Sequence, residues 1–148
     1  MTIAALEAVL KLYRDPDRLA QRLPTLRLLT RTQADIQAAA ERVMPALVEA
    51  LGEQAVVQVL PCKSQIGSGS LPVDRLPSAC IAIGAPPGAK RAGSFPDRLA
   101  TALRALPRPV IGRVAEGQLR LDMRCLDGQA QEATFIEQLS RLTPLRTI

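Results

Sequence analysis

The chain has 148 residues, of which 47% are hydrophobic, and it carries a formal net charge of +5 with no histidine. A chain of this length usually forms one core, so we predict a single domain over residues 1–148. The missing histidine removes the commonest general base and the usual nucleophile pairs, which disfavours an independent hydrolytic enzyme. No apolar run reaches the roughly 20 residues that span a bilayer, and the start lacks a signal-peptide pattern. These features predict a cytoplasmic protein without a membrane partner.

Three cysteines, Cys62, Cys80 and Cys125, are far apart in the sequence and form no CxxC pair. Neither a disulfide nor a metal site is predicted from this spacing. We expect three reduced thiols that pack as small apolar residues on strands. The surplus of arginine favours contact with RNA phosphates, but the cations are scattered among acids and aromatic residues make up only 2%. Direct RNA binding by this segment is the weaker interpretation.

The first part of the chain, residues 1–52, is predicted to be helical. An amphipathic helix over residues 2–14 is followed by a short helix that Asp15 caps and Pro24 ends. Thr32 is placed to cap a third helix, which ends at Gly52 and contains Pro45 as a point of kink or break. Because a helix begins almost at residue 1, we expect the natural chain to continue upstream.

The second part, residues 53–148, is predicted to combine strands with covering helices. The predicted elements are strands at 55–60 and 79–83, a helix at 94–106, a hairpin pairing 109–114 with 118–124, and a helix at 129–142. Apolar and charged residues alternate strictly from Leu119 to Arg124, so one face of this strand is predicted to be buried and the other solvated. The order of elements indicates an α+β fold, with an antiparallel or mixed sheet covered by helices on one face.

Several ordered segments of the chain resemble the selenocysteine synthases, the bacterial L-seryl-tRNA(Sec) selenium transferase family. The segments are TIAALEAVLKLY (2–13), RLPTLRLL (22–29), QIGSGSLP (65–72) with LPS (76–78), PVIGR (109–113) and LRLDMR (119–124). Each segment alone is weak evidence, but their shared order over residues 2–126 is hard to produce by accident. The resemblance implies the small C-terminal domain of a fold-type I pyridoxal-phosphate enzyme.

What the resemblance implies is an enzyme that converts seryl-tRNA(Sec) to selenocysteinyl-tRNA(Sec) with selenophosphate as donor. Members of the family use pyridoxal phosphate on a Schiff-base lysine, and they assemble into homo-oligomers. The large domain that carries this lysine is expected upstream of residue 1, because Lys11, Lys63 and Lys90 lie in no motif associated with the Schiff base. The segment alone is therefore expected to be non-catalytic, to bind no cofactor, and to pack against the large domain of the same chain.

Two groups of residues are candidates for positions near the substrate. The first is the glycine-rich segment Gly67, Ser68, Gly69 and Ser70. Its glycines let the backbone approach a ligand, and exposed N–H groups in such turns favour anions, although a flexible connection between strands explains it equally well. The second group is Arg113 and Arg124 on the predicted hairpin, where a guanidinium suits a carboxylate or phosphate. The alternative for this pair is a solvated strand face.

Two other functions stay open at this point. One is a non-enzymatic basic α+β module that binds RNA or mediates protein assembly. The other is the small domain of a fold-type I paralogue that acts on a small amino acid, since related enzymes share this domain without using tRNA.

Overall fold

The computed structural model describes residues 2–65 and 75–142. The helices are α1 Thr2–Leu12, α2 Pro16–Arg22, α3 Pro24–Thr30, α4 Gln33–Leu51, α5 Phe95–Arg104 and α6 Gln129–Leu139. The strands are β1 Val56–Gln65, β2 Arg75–Gly84, β3 Arg113–Ala115 and β4 Gln118–Asp122. The predicted α+β class is confirmed. None of the described helices combines the length and the apolar character that crossing a membrane requires.

The four strands form one antiparallel sheet in the order β1-β2-β4-β3. β1 and β2 make a long hairpin whose register runs from Val56 opposite Gly84 to Gln65 opposite Arg75. β4 then pairs with β2, and β3 completes the sheet at the far edge. Of the two predicted arrangements, antiparallel and mixed, the antiparallel one is correct.

The sheet has two faces of different chemistry, because residues paired across antiparallel strands point to the same side. The aliphatic face carries Val59, Ile81, Ile83, Leu119 and Leu121, which pack with the apolar residues of α4 and α5. The polar face carries Cys62, Ser78, Cys80, Arg113, Arg120 and Asp122. The core thus lies between the aliphatic face and the helices, as the predicted one-sided layout requires.

Helix α4 supplies most of the helical side of this core. Its apolar residues recur at the three- and four-residue spacing that puts them on one side of a helix. They are Ile36, Ala39, Ala40, Val43, Leu47 and Leu51, and each is at most 3% exposed. The Thr32 side chain caps the helix by accepting a hydrogen bond of 3.1 Å from the backbone N–H of Asp35, as predicted.

The helical part differs from the prediction in three details. Pro24 begins a separate helix, α3, instead of only ending α2, because a proline in the first turn loses no hydrogen bond. Asp15 precedes α2 as expected but makes no side-chain capping bond. At Pro45 a kink or a break was predicted, and the break is wrong, since α4 continues through this residue to Leu51 and ends at Gly52, whereas the kink stays a prediction.

The strands also differ from the prediction. β1 and β2 are ten residues each, longer than predicted, because polar residues such as Lys63 and Gln65 continue the ladder beyond the valine-rich segment. β4 ends at Asp122, whose side chain accepts a hydrogen bond from the backbone N–H of Arg124 at 3.0 Å and starts a 3-10 turn. The predicted placement of Arg124 on a strand is therefore wrong.

Candidate functional site

An open cavity of about 250 Å³ lies on the polar face of the sheet, and all four strands contribute to its lining. The lining residues are Cys62, Lys63 and Gln65 of β1, Cys80 of β2, Arg113 of β3, and Arg120 and Asp122 of β4. The structure therefore brings the predicted candidate Arg113 together with a second arginine, a lysine and a carboxylate that the sequence reasoning did not single out.

Arg113 and Arg120 lie directly opposite each other on β3 and β4. Arg120 is held on one side by Glu116, whose carboxylate accepts from Nη2 at 2.6 Å, while the buried Nε of Arg120 has no hydrogen-bond partner among the described residues. Arg113 is exposed and forms no ion pair within residues 2–65 and 75–142. The two guanidinium groups thus share one cavity, and among the described residues Glu116 is the carboxylate that forms an ion pair with one of them.

The backbone before and after β3 fixes this arrangement. Glu116 and Gly117 both have positive φ, 52° and 70°, which is the two-residue turn that suits the twist of an antiparallel hairpin. At Gly112 an added Cβ would lie 2.7 Å from Leu121 and 2.8 Å from Leu119. A larger residue at position 112 would force these leucine side chains to shift, and Arg113 follows Gly112 directly.

Asp122 is a structural carboxylate at the edge of the cavity. It accepts hydrogen bonds from the hydroxyl groups of Ser64 and Ser78, with the Ser78 contact at 2.8 Å. It also accepts the backbone N–H of Arg124. Through these three hydrogen bonds Asp122 joins β1, β2 and the turn after β4.

Arg124 is only 2% exposed, so it is neither on a solvated face nor a surface arginine. Its Nε donates to the Ser64 hydroxyl at 3.1 Å. Its two terminal nitrogens donate to the backbone carbonyl oxygens of Leu28, Leu29, Arg31 and Pro77. The guanidinium therefore ties the end of α3 to the β1–β2 hairpin, and a direct contact with substrate stays a prediction.

Arg31 makes the reciprocal connection. Its Nη1 donates to the carbonyl oxygens of Met123, Arg124 and Leu126, at 3.2, 2.6 and 2.8 Å. Each arginine thus binds backbone carbonyls on the segment that carries the other. The α3–α4 junction and the turn after β4 are held together from both sides.

The cysteines are free thiols, and two of the three match the prediction. Cys62 and Cys80 lie on β1 and β2, where burial raises the pKa of Cys62 to about 12 and also raises the pKa of Cys80. A raised pKa leaves little thiolate on either residue at neutral pH. The strand prediction is wrong for Cys125, which is exposed in the 3-10 turn. No group of three or more potential metal ligands occurs in the part of the chain that the structure describes.

The glycine-rich candidate, Gly67 to Ser70, lies outside the described residues. The described ends of its connection are Gln65 of β1, which lines the cavity, and Arg75 of β2. Sequence reasoning missed Arg120, although a signal for it existed. A two-residue turn at Glu116 and Gly117 places residue 113 opposite residue 120, so the arginine pair follows from the turn.

The surroundings of the three lysines show what the described residues offer to pyridoxal phosphate. Such a site needs a lysine amine, and commonly a carboxylate or arginine at the pyridine nitrogen. Lys11 is exposed on α1 and pairs with Glu7 at 2.7 Å. Lys63 borders the cavity that Arg113, Arg120 and Asp122 also line, and the Asp122 carboxylate accepts hydrogen bonds from Ser64 and Ser78. Lys90 lies in a loop and borders a pocket that Arg91 and Arg98 also line.

A second surface feature is the apolar stripe of α1, a helix with no buried residue. The stripe consists of Ile3, Leu6, Val9 and Leu10, with Tyr13 directly after the helix, and these side chains are between 39% and 84% exposed. Single exposed apolar residues are common on protein surfaces, but a continuous stripe on one helix typically marks a contact surface.

Similarity to known proteins extends over nearly the whole chain, including the residues of the cavity and Arg124. The profile of the family described as L-seryl-tRNA selenium transferase matches residues 1–127. The L-seryl-tRNA(Sec) selenium transferase of Escherichia fergusonii is 52% identical over 139 residues, which is 94% of this chain and 29% of that protein. The proteins of the same name from Salmonella paratyphi B and Shigella flexneri serotype 5b are 51% and 52% identical over the same shares. The chain spans less than a third of the length of these curated relatives.

Proposed function

Because the chain belongs to the L-seryl-tRNA selenium transferase family, we propose that it is the C-terminal lobe of an enzyme that converts seryl-tRNA(Sec) to selenocysteinyl-tRNA(Sec). The observation that carries this proposal is the identity of 52% over 94% of the chain with a protein of that activity. These comparisons do not favour an independent basic module. A tRNA substrate implies action in the bacterial cytoplasm, and the resemblance implies selenophosphate as donor and a homo-oligomer.

In this proposal the lobe shapes and covers the active site, while pyridoxal phosphate and its lysine belong to the large domain of the longer protein. Two observations support this division: the chain covers only 29% of the length of the relative, and Lys11, Lys63 and Lys90 lie in no motif associated with the Schiff base. The polar face is the side that we expect to turn toward substrate. Arg113 is the exposed candidate there, and Gly67 to Ser70 follow the β1 strand that lines the same cavity.

Arg124 enters the proposal as a positioning residue. Its guanidinium is buried and binds Ser64, two residues before the segment 66–74 that contains the glycine-rich candidate. Loss of this arginine is expected to displace the start of that segment. Turnover would then fall because the backbone near the substrate has moved, not because a contact with the substrate is lost.

The stripe on α1 is the surface that we expect to pack against the large domain. Its five apolar side chains are exposed in this chain. The part of the curated relatives that this chain does not cover is more than twice as long as the part that it covers. Burial of such a stripe stabilises by about 25 cal/mol for each Å² of apolar surface removed from water. Leu6→Ser with Leu10→Ser is expected to weaken this packing in the longer protein.

A segment exchange tests the function. The 139 matching residues of the Escherichia fergusonii transferase are replaced by those of this chain, and selenocysteinyl-tRNA formation is measured. We expect the hybrid to keep activity within about tenfold of the parent. A folded hybrid that binds seryl-tRNA(Sec) but transfers no selenium would contradict the proposal, and an exchange with an unrelated α+β domain is the control.

A second test asks whether the cofactor site lies entirely in the large domain, as proposed. The chain alone is mixed with pyridoxal phosphate and treated with borohydride, and its absorbance and mass are recorded. We expect no specific adduct beyond the slow labelling given by unfolded chain. A stoichiometric reducible adduct on one lysine would place part of the cofactor site in this lobe and refute the division.

A further inference from the structure

We propose that Arg113 and Arg120 form a binding site for a phosphate group on the polar face of the sheet. The inference rests on the cavity geometry alone and does not depend on the proposed function. The two arginines come from neighbouring strands, β3 and β4, and line the same cavity of about 250 Å³.

The first argument is the juxtaposition of like charges. Arg113 and Arg120 occupy directly opposite positions, where residues of the same charge destabilise a pair of strands. Glu116 offsets part of the charge by accepting from Nη2 of Arg120, but it lies in the turn and is largely exposed. An anion bound between the two guanidinium groups would turn this repulsion into attraction.

The second argument is an unused donor. Nε of Arg120 is buried without a hydrogen-bond partner among the described residues, and the side chain as a whole is only 18% exposed. Buried polar groups without a partner are rare in folded proteins, and each one requires an explanation such as an ion or a water molecule. A ligand oxygen in the cavity supplies the missing acceptor.

The third argument concerns which anion fits. A planar carboxylate is satisfied by one arginine in a bidentate pair, whereas a phosphate carries more charge and presents oxygens in several directions. Two guanidinium groups that lie opposite each other on neighbouring strands match the second case. The one carboxylate in the lining, Asp122, keeps its charge, but both of its oxygens already accept hydrogen bonds, from Ser64 and Ser78. The cavity exceeds by several times the roughly 30 Å³ of one water molecule.

The test measures the thermal unfolding midpoint of the 148-residue chain at constant ionic strength, with inorganic phosphate replacing chloride. A ligand that binds only the folded state raises the midpoint in a saturable way. The variants are Arg113→Gln and Arg120→Gln, and the matched control is Arg104→Gln, which removes an exposed arginine at the end of α5.

We expect phosphate to raise the midpoint of the wild-type chain and of Arg104→Gln equally. Binding by Arg113→Gln and Arg120→Gln should be weaker by about tenfold or more, the loss typical for one charged hydrogen-bonding group. In chloride alone, Arg113→Gln should be at least as stable as the wild type, because the like-charge contact is gone. For each variant, the unfolding midpoint in phosphate is compared with the midpoint of the same variant in chloride. A lower midpoint of Arg120→Gln in chloride therefore does not affect the result.

A second measurement separates the two sources of phosphate. Fluorescence anisotropy of a labelled single-stranded RNA is recorded with the same variants. If Arg113→Gln weakens RNA binding and free phosphate competes with the RNA, the natural ligand is a phosphate of a nucleic-acid backbone. If RNA binding is the same in Arg113→Gln and in the wild type, the ligand is a small phosphate compound. The proposal is overturned if phosphate stabilises the wild-type chain no more than chloride does, or if Arg113→Gln responds as fully as Arg104→Gln.

Discussion

The two faces of the sheet are stabilised in different ways. The aliphatic face is covered by α4 and α5, and residues such as Ile81 and Leu119 are fully buried there. The polar face is organised by directed hydrogen bonds, in which Asp122 and Arg124 each join several segments. Apolar contacts tolerate changes of partner, whereas hydrogen bonds require particular atoms at particular distances. Alternation in the sequence therefore predicts the covered face well and says little about the organisation of the other.

The sharpest way to test this comparison is Arg124→Ala. The substitution leaves the carbonyl oxygens that the guanidinium bonds, including those of Leu28 and Pro77, without their donor in a buried place. We expect a loss of about 4 kcal/mol in the free energy of unfolding, measured by urea denaturation. Arg104→Ala, at an exposed position, is the control and should cost less than about 0.5 kcal/mol. Equal losses for the two variants would show that the directed bonds add nothing.

The aliphatic face is probed by Leu119→Ala. Leu119 is 0% exposed, and truncation of a fully buried leucine leaves a cavity that costs about 3 kcal/mol. Its cross-strand partner Val114 is 44% exposed, so Val114→Ala on the same hairpin should cost less than about 1 kcal/mol. Denaturation midpoints of both variants provide the measurement, and a costly Val114→Ala would mean that β3 is covered in solution.

A smaller effect is expected in the helical layer above the aliphatic face. Arg42 of α4 and Glu132 of α6 form a bidentate pair at 2.9 and 2.7 Å, and this hydrogen bonding lowers the pKa of the Glu132 carboxyl. A lowered pKa stabilises the fold at pH above the ordinary value of 4.5, and this contribution is lost as the pH falls. Because Arg42 is 54% exposed, Glu132→Gln should cost only about 1 kcal/mol at pH 7.

The pH profile tests the assignment of that pair. Stability of the wild-type chain and of Glu132→Gln should converge as the pH drops below 4.5, since the variant has no carboxyl to protonate. Glu137→Gln, an exposed change on the same helix, should keep the wild-type slope. A constant difference between wild type and Glu132→Gln at every pH would contradict the lowered pKa.

The smallest effect on stability is expected from the thiols of the polar face. At pH 8 a disulfide reagent should modify Cys125 rapidly and leave Cys62 and Cys80 unmodified, because a thiol with a raised pKa contains little thiolate. Cys125→Ser should remove the fast phase. A raised pKa in the folded state also means that stability is lost as the pH rises from about 9 toward 12. Fast modification of Cys62 in the folded chain would contradict its protection.

Much of the fold follows from local patterns in the sequence. The cap at Thr32, the end of α4 at Gly52 and the turn at Glu116 and Gly117 were all predictable, because each depends on residues that are close in the chain. The position of Arg124 was not. Its burial depends on carbonyl oxygens more than 90 residues away, at the end of α3, and no local pattern reports such a partner.

The candidate site was predictable to a similar extent. Arg113 was chosen for its chemistry and lies in the cavity, while Lys63 was set aside because it matched no cofactor motif. What the alternation rule could not supply is that β1 extends as far as Gln65 and so carries Lys63 into the same cavity. Whether polar residues continue a strand depends on the neighbouring strand with which they pair. Local propensity does not describe this pairing.

The two reciprocal arginines have a consequence for motion. Arg31 and Arg124 each donate to the main chain beside the other, so sliding of the N-terminal helices over the sheet would sever both sets of bonds together. Because Nε of Arg124 also donates to the Ser64 hydroxyl, the same displacement would pull on the last described turn of β1 as well as on the N-terminal helices.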